Sequence, residues 1–118
     1  MYGIPPAEDF TPLLGQSVSF LCVGEFDIQI RLDRSARIAA YHSLTYECNG
    51  VAGSWNAGDP ASARHLLQLI EKTIASIEVV TRSCMLIRFS DSSFLRLEDR
   101  QAEFECFLIT WENTTIVI

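Results

Sequence analysis

What this chain has little of narrows its chemistry first. Its 118 residues hold no apolar run of the ~18 to 20 residues that a membrane-crossing helix needs. The opening MYGIPPAEDF lacks the basic and then apolar regions of a secretory leader. Together these absences lead to the expectation of a cytoplasmic protein. Positive charge is scarce, with nine basic against 15 acidic side chains and a net charge of −6. That balance disfavours nucleic acid and membrane surfaces and makes a basic protein the easier partner. Residues 1 to 60 carry seven acids and three bases, and residues 91 to 118 six acids and two bases, whereas residues 61 to 90 carry two acids and four bases. Internal repeats, low-complexity stretches and long like-charge blocks are also missing, so a single domain over 1–118 is expected.

Cysteines are few and scattered. Cys22, Cys48, Cys84 and Cys106 have none of the C-x-x-C spacing of a redox motif or zinc knuckle. Each lies in an apolar, strand-like context, which reads as core thiols in a reducing compartment; disulfides or a zinc set assembled in space are the alternatives. The two histidines fall on unrelated segments, with no carboxylate at diagnostic spacing, so neither a metal nor a cofactor is expected. His42 reads as a structural histidine and His65 as solvent-facing. No G-x-S-x-G, Walker A, H-E-x-x-H or dinucleotide fingerprint occurs, and the glycines of GVAGSWNAG are not followed by the Lys-Ser/Thr of a phosphate loop. Catalysis would need partners brought together by folding, such as Cys48 with His42 or Cys106 with either histidine. The chain therefore reads as a non-enzyme.

What is present is alternation. In FDIQIRLD, Phe26, Ile28, Ile30 and Leu32 alternate with Asp27, Gln29, Arg31 and Asp33, the pattern of a half-buried strand. Val18 to Val23 precedes it as a strand. Ala36 to Cys48 follows as a longer one after the Asp33–Ser35 turn, with Ile38, Ala40, Leu44 and Tyr46 sharing one parity. Asn49 to Pro60, with three glycines and a proline, predicts a mobile loop centred on Trp55. A helix is predicted from Pro60 to about Lys72, capped by Asp59, with Ala63, Leu66, Leu67 and Ile70 on its apolar face. Period-two segments then return around Ile77 and Val79, Met85 to Phe89, Phe94 to Glu98 and Glu105 to Trp111, before the final TIVI. The expected fold class is α+β: mainly antiparallel sheet of about seven or eight short strands, with one helix packed on it.

The proline-started helix LLQLIEKTIASIEV, then MLIRFSDSSFLRL and FECFLITWENTTIVI, resembles a family of small, largely uncharacterised bacterial β-rich proteins. That family runs helix, strand, a hairpin of the form apolar-x-F-x-D-G, and an aromatic-Glu pair. Phe89 and Asp91 match the hairpin, and Phe104 with Glu105 matches the pair; Ser92 replaces the usual glycine, and Phe107 stands where tryptophan is frequent. In size, acidity and lack of a catalytic motif the chain also resembles the immunity proteins of bacterial toxin systems, including contact-dependent growth inhibition. This resemblance implies stoichiometric binding to a cognate toxin domain, possibly a nuclease, whose cationic substrate groove would favour an acidic inhibitor. The implied partner-binding residues are Asp91, Glu98, Asp99, Glu103, Glu105 and Glu112, extended by Asp27 and Asp33, with Trp55 as an aromatic anchor and Trp111 assigned to the core. The alternative is a non-catalytic scaffold or homo-oligomer, because VSFLCV and TIVI would invite pairing if they lay at sheet edges.

Overall fold

The alternation of FDIQIRLD is realised as a strand in which Ile28, Ile30 and Leu32 are buried while Gln29 and Arg31 turn outward. The computed structural model describes residues 3–99 and 106–118. Within them lie β1 (Val18–Val23), β2 (Ile28–Leu32), β3 (Arg37–Ala40), β4 (Ser43–Cys48), β5 (Val51–Asn56), β6 (Ile74–Thr81), β7 (Cys84–Phe89), β8 (Phe94–Glu98), β9 (Phe107–Trp111) and β10 (Thr114–Val117). They form two antiparallel five-stranded sheets, ordered β1-β2-β3-β9-β10 and β5-β4-β8-β7-β6. Backbone bonds from Val18 N–H to the Lys72 carbonyl and from Ile74 N–H to the Gln16 carbonyl stitch the sheets along one side. A single apolar cluster draws on both, with Ile30, Ile38 and Ile109 from one sheet and Leu44, Trp55, Met85 and Leu95 from the other.

The mainly antiparallel character is as expected, but the helical content is not. The described residues contain no α-helix; Ala7–Leu13 and Pro60–Leu69 are both 3-10 helices. A 3-10 helix turns once every three residues, so its buried positions repeat at three. Ala63, Leu66 and Leu69 are accordingly buried, whereas Leu67, predicted for the apolar face, is 58% exposed, and Ile70 is exposed too. Phe10 and Leu13 repeat the same spacing in the first 3-10 helix, where Phe10 meets Trp111 edge-on at 6.0 Å. Pro60 does open the second helix, but Asp59 makes no side-chain cap bond. The anchors are elsewhere: Tyr46 Oη donates to the Ser62 carbonyl at 3.1 Å, and Asn56 N–H donates to Ser62 Oγ at 2.9 Å.

Two segments depart further from expectation. The long strand predicted over Ala36 to Cys48 breaks at Tyr41 and His42, where the chain leaves the first sheet as β3 and enters the second as β4. The predicted loop from Asn49 to Pro60 is mostly β5, paired with β4 from Cys48–Val51 to Ser43–Asn56. Asn49 and Gly50 form the hairpin turn with φ of +53° and +81°, the left-handed backbone that an Asn-Gly pair adopts most readily. Opposite Tyr46, Gly53 leaves room for the buried ring: a Cβ there would lie 2.6 Å from Tyr46 Oη and 2.8 Å from Cζ. Gly53→Ala should therefore displace the ring and its bond to Ser62, lowering stability by about 1–3 kcal/mol in urea unfolding, while Ala52→Gly costs less. Equal stability of Gly53→Ala and wild type would show that the ring is not packed on this backbone.

Candidate functional site

Antiparallel pairing decides which acidic residues meet, because it places alternate turns at opposite ends of the molecule. Ile28 pairs with Ala40 and Val23 with Ile28, so the β1–β2 turn lies beside the β3–β4 turn. Ala57 N–H donates to the His42 carbonyl at 2.9 Å and Gly58 N–H to the Glu25 carbonyl at 2.8 Å, tying the turn after β5 to both. β8 reaches this same end, since Thr45 pairs with Arg96 and β4 begins two residues earlier. Glu25, Asp27, Asp59, Glu98 and Asp99 are thus gathered at one end, around three backbone-locked turns.

At the same end stands Phe26, 62% exposed between Glu25 and Asp27, with Val23 and Tyr41 exposed nearby. An exposed aromatic ring amid carboxylates offers a partner apolar contact and charge in one place. By the alternation of FDIQIRLD, Phe26 is expected to be the first inward residue of its strand. Its exposure follows from the turn: Gly24 N–H bonds the Asp27 carbonyl at 2.9 Å, so β2 begins at Ile28 and Phe26 falls on the tip.

The sequence-derived contacts divide. Glu98 and Asp99 belong to this end, Glu98 paired with Arg96 and Asp99 accepting from the Cys106 thiol at 3.3 Å. The Glu98 contact raises the Arg96 pKa, chiefly through the side-chain hydrogen bond. Asp91 lies in the β7–β8 turn and Glu112 in the β9–β10 turn, both at the far end with Asp33. Glu103 and Glu105 lie outside the described residues, as does Phe104 of the aromatic-Glu pair. Trp55 is corrected outright: it is fully buried in β5, facing Leu44, and cannot serve as a surface anchor. Trp111 is core, as expected.

At the far end, Lys72, the chain's only lysine, binds Asn49 Oδ1, Ser93 Oγ at 3.1 Å and Asp91 Oδ2 at 2.5 Å. These contacts join the β4–β5 and β7–β8 turns to the exit of the second 3-10 helix. The Lys72 hydrogen bond, helped by the Ser93 N–H, holds the Asp91 carboxyl down at about 2 against an ordinary 3.8. A depressed carboxyl stabilises the fold above its unfolded pKa and loses that contribution as pH falls through the folded one. Stability should therefore decline between about pH 4 and pH 2, and Asp91→Asn should flatten that part of the profile in pH-dependent thermal melts. An unchanged acid limb in the variant would remove Asp91 from the acid response.

Of the sequence-suggested catalytic pairs, Cys106 comes beside the His42 segment: its carbonyl accepts from Tyr41 N–H at 3.1 Å, and its thiol donates to Asp99 Oδ1 at 3.3 Å. His65 lines a cleft of about 390 Å³ with Tyr46, Asp59 and Arg64. Its Nε2 accepts from Arg64 Nε at 3.3 Å, which requires a lone pair on that nitrogen. His42 and Cys48 flank opposite ends of β4, roughly 20 Å apart at the usual rise per residue, so that sequence-suggested pair does not meet. Burial pushes the Cys48 thiol up to about 11 and raises Cys84 and the Tyr46 phenol as well, leaving all three protonated at neutral pH. Cys48, Cys84 and Cys106 are buried free thiols, as expected, whereas Cys22 is exposed on the outer side of β1. Among the described residues no group of three or more His, Cys, Asp or Glu could hold a metal ion. No helix among them is long and apolar enough to cross a membrane.

The chain matches no family model, no curated protein and no solved structure. What the fold and site define on their own is a β domain of two antiparallel sheets that carries an acidic, aromatic-tipped end.

Proposed function

We propose that this protein is an immunity protein that neutralises a cognate bacterial toxin, such as a nuclease domain, by stoichiometric binding through its acidic end. The observation that carries the reading is Phe26, exposed on a backbone-bonded turn between Glu25 and Asp27, with Asp59 on the adjoining turn. Such a surface suits a partner with an apolar notch amid Lys and Arg, which is what a nuclease groove presents to a phosphate-mimicking inhibitor. The net charge of −6 supports fast, salt-sensitive association with it.

The test is co-expression with the product of the adjacent open reading frame. A one-to-one complex that relieves that product's toxicity and weakens with added salt is the expected result. Glu25→Lys with Asp59→Lys should weaken the complex without lowering the melting temperature. Failure of the neighbour to associate or to be toxic would sink the reading.

Edge pairing supports the second reading. β1 and β10, the segments singled out as VSFLCV and TIVI, are the outer strands of the first sheet. β10 has one unpaired side among the described residues, whereas the outer side of β1 is already bonded at Val18 to Glu71 and Lys72 and is open only beyond it; there a second copy could add a strand. A mass that grows with concentration in light scattering would favour this assembly role over a monomeric inhibitor.

A further inference from the structure

The outer face of the first sheet carries a local positive charge that the acidic chain as a whole does not predict. There, Phe20 pairs with Arg31, Arg31 with Arg37, and Arg37 with Thr110, forming one cross-strand row over β1, β2, β3 and β9. Two guanidinium side chains directly opposite one another repel. Neither has an ion pair among the described residues; Arg31 lies over the Phe20 ring at 5.9 Å, and Arg37 reaches only the Gln29 amide oxygen at 3.5 Å.

This row lines a cleft of about 540 Å³ that also takes in Ser19 and Asp33. Two polar atoms within the row, Arg37 Nε and Thr110 Oγ1, are buried and have no hydrogen-bond partner. A buried donor left unmatched is costly, and here two of them sit on directly opposed residues beneath a repelling pair of cations. An anion would answer all three conditions at once.

We infer that this cleft binds a small organic phosphate. The planar guanidiniums of Arg31 and Arg37 match phosphoryl oxygens as a lone ammonium does not, and Thr110 Oγ1 supplies a further donor. The cleft volume exceeds that of a bare phosphate ion, and Phe20, 53% exposed, offers an apolar wall to the organic part. Asp33, whose carboxylate already accepts from Ser17 N–H at 3.2 Å, stands at the rim and leaves the lining with a surplus of one positive charge. The site is at the opposite end of β2 from Phe26, so it stands independently of the immunity reading.

The experiment uses the full chain, labelled with nitrogen-15, titrated with glucose 6-phosphate and separately with glucose. Saturable shifts of the Arg31 and Arg37 Nε–H resonances with the phosphate ester, and none with glucose, are expected. Arg37→Gln should weaken binding at least about tenfold, and the shape-preserving Thr110→Val about threefold. Arg31→Gln should also lose binding while melting no lower than wild type, because it removes a like-charge pair. Absence of saturation, equal shifts with glucose, or unchanged binding by Arg37→Gln would overturn the site. A lower melting temperature of Arg31→Gln would do so too, by showing that the guanidinium serves the fold.

Discussion

Trp55→Ala should lower the free energy of unfolding by about 3–5 kcal/mol, the largest single-residue effect expected for stability. The indole is fully buried in β5, opposite Leu44, and contributes to the cluster shared by both sheets. Truncation leaves a cavity that backbone-paired strands cannot close by moving together. A domain of this size has only about 5–15 kcal/mol to lose, so the variant should unfold at distinctly lower denaturant concentration. Trp55→Phe separates two contributions. It retains much of the apolar volume and deletes the indole N–H, which is buried without a hydrogen-bond partner. Its cost should accordingly be well under half that of alanine. A cost below about 1 kcal/mol for Trp55→Ala would show that the hairpin β4–β5 does not close over the core in this way.

The second large effect concerns binding. Under the immunity reading, Phe26→Ala should weaken the complex with the toxin by about 2–4 kcal/mol, roughly 30-fold to 1000-fold in Kd. Stability should barely change, because the ring is mostly in solvent and the turn beneath it is held by backbone bonds from Gly24 and Gly58. Calorimetric titration of wild type and variant against the purified partner reads this directly. Charge reversal at Glu25 and Asp59 acts differently, mainly slowing association and reducing its salt dependence. A Phe26→Ala variant that binds like wild type would place the interface elsewhere. The far-end carboxylates Asp91 and Glu112 would then be the next residues to substitute.

The two effects rest on different uses of aromatic side chains, which the sequence did not separate. Trp55 sits among glycines and small residues, a composition that signals a loop, yet Asn49 and Gly50 absorb the positive φ and free the rest to pair as β5. Gly53 is there because Tyr46 covers it. Phe26, conversely, keeps strand parity with Ile28 but lies beyond the last ladder pair, where parity no longer decides burial.

Local pattern alone determined much of the framework. β1 and β8 were legible to the residue, and the turn at Asp33–Ser35 lay where polar residues interrupt period-two runs. These features depend on neighbours within a few residues. Tertiary structure decided the rest. Ile38, Ala40, Leu44 and Tyr46 share one parity and are all buried, on either side of the exposed His42, so the alternation alone does not record that the chain changes sheets at Tyr41 and His42. Likewise Ala63, Leu66 and Leu67 satisfy an α-helical period, and only the packing against the sheets selects the three-residue turn that buries Leu69 and exposes Leu67. The meeting of Glu25, Asp59 and Glu98 at one end, and of Arg31, Arg37 and Thr110 in one row, comes from strand order and register. Those are set by long-range pairing between segments, information that no short stretch of sequence contains.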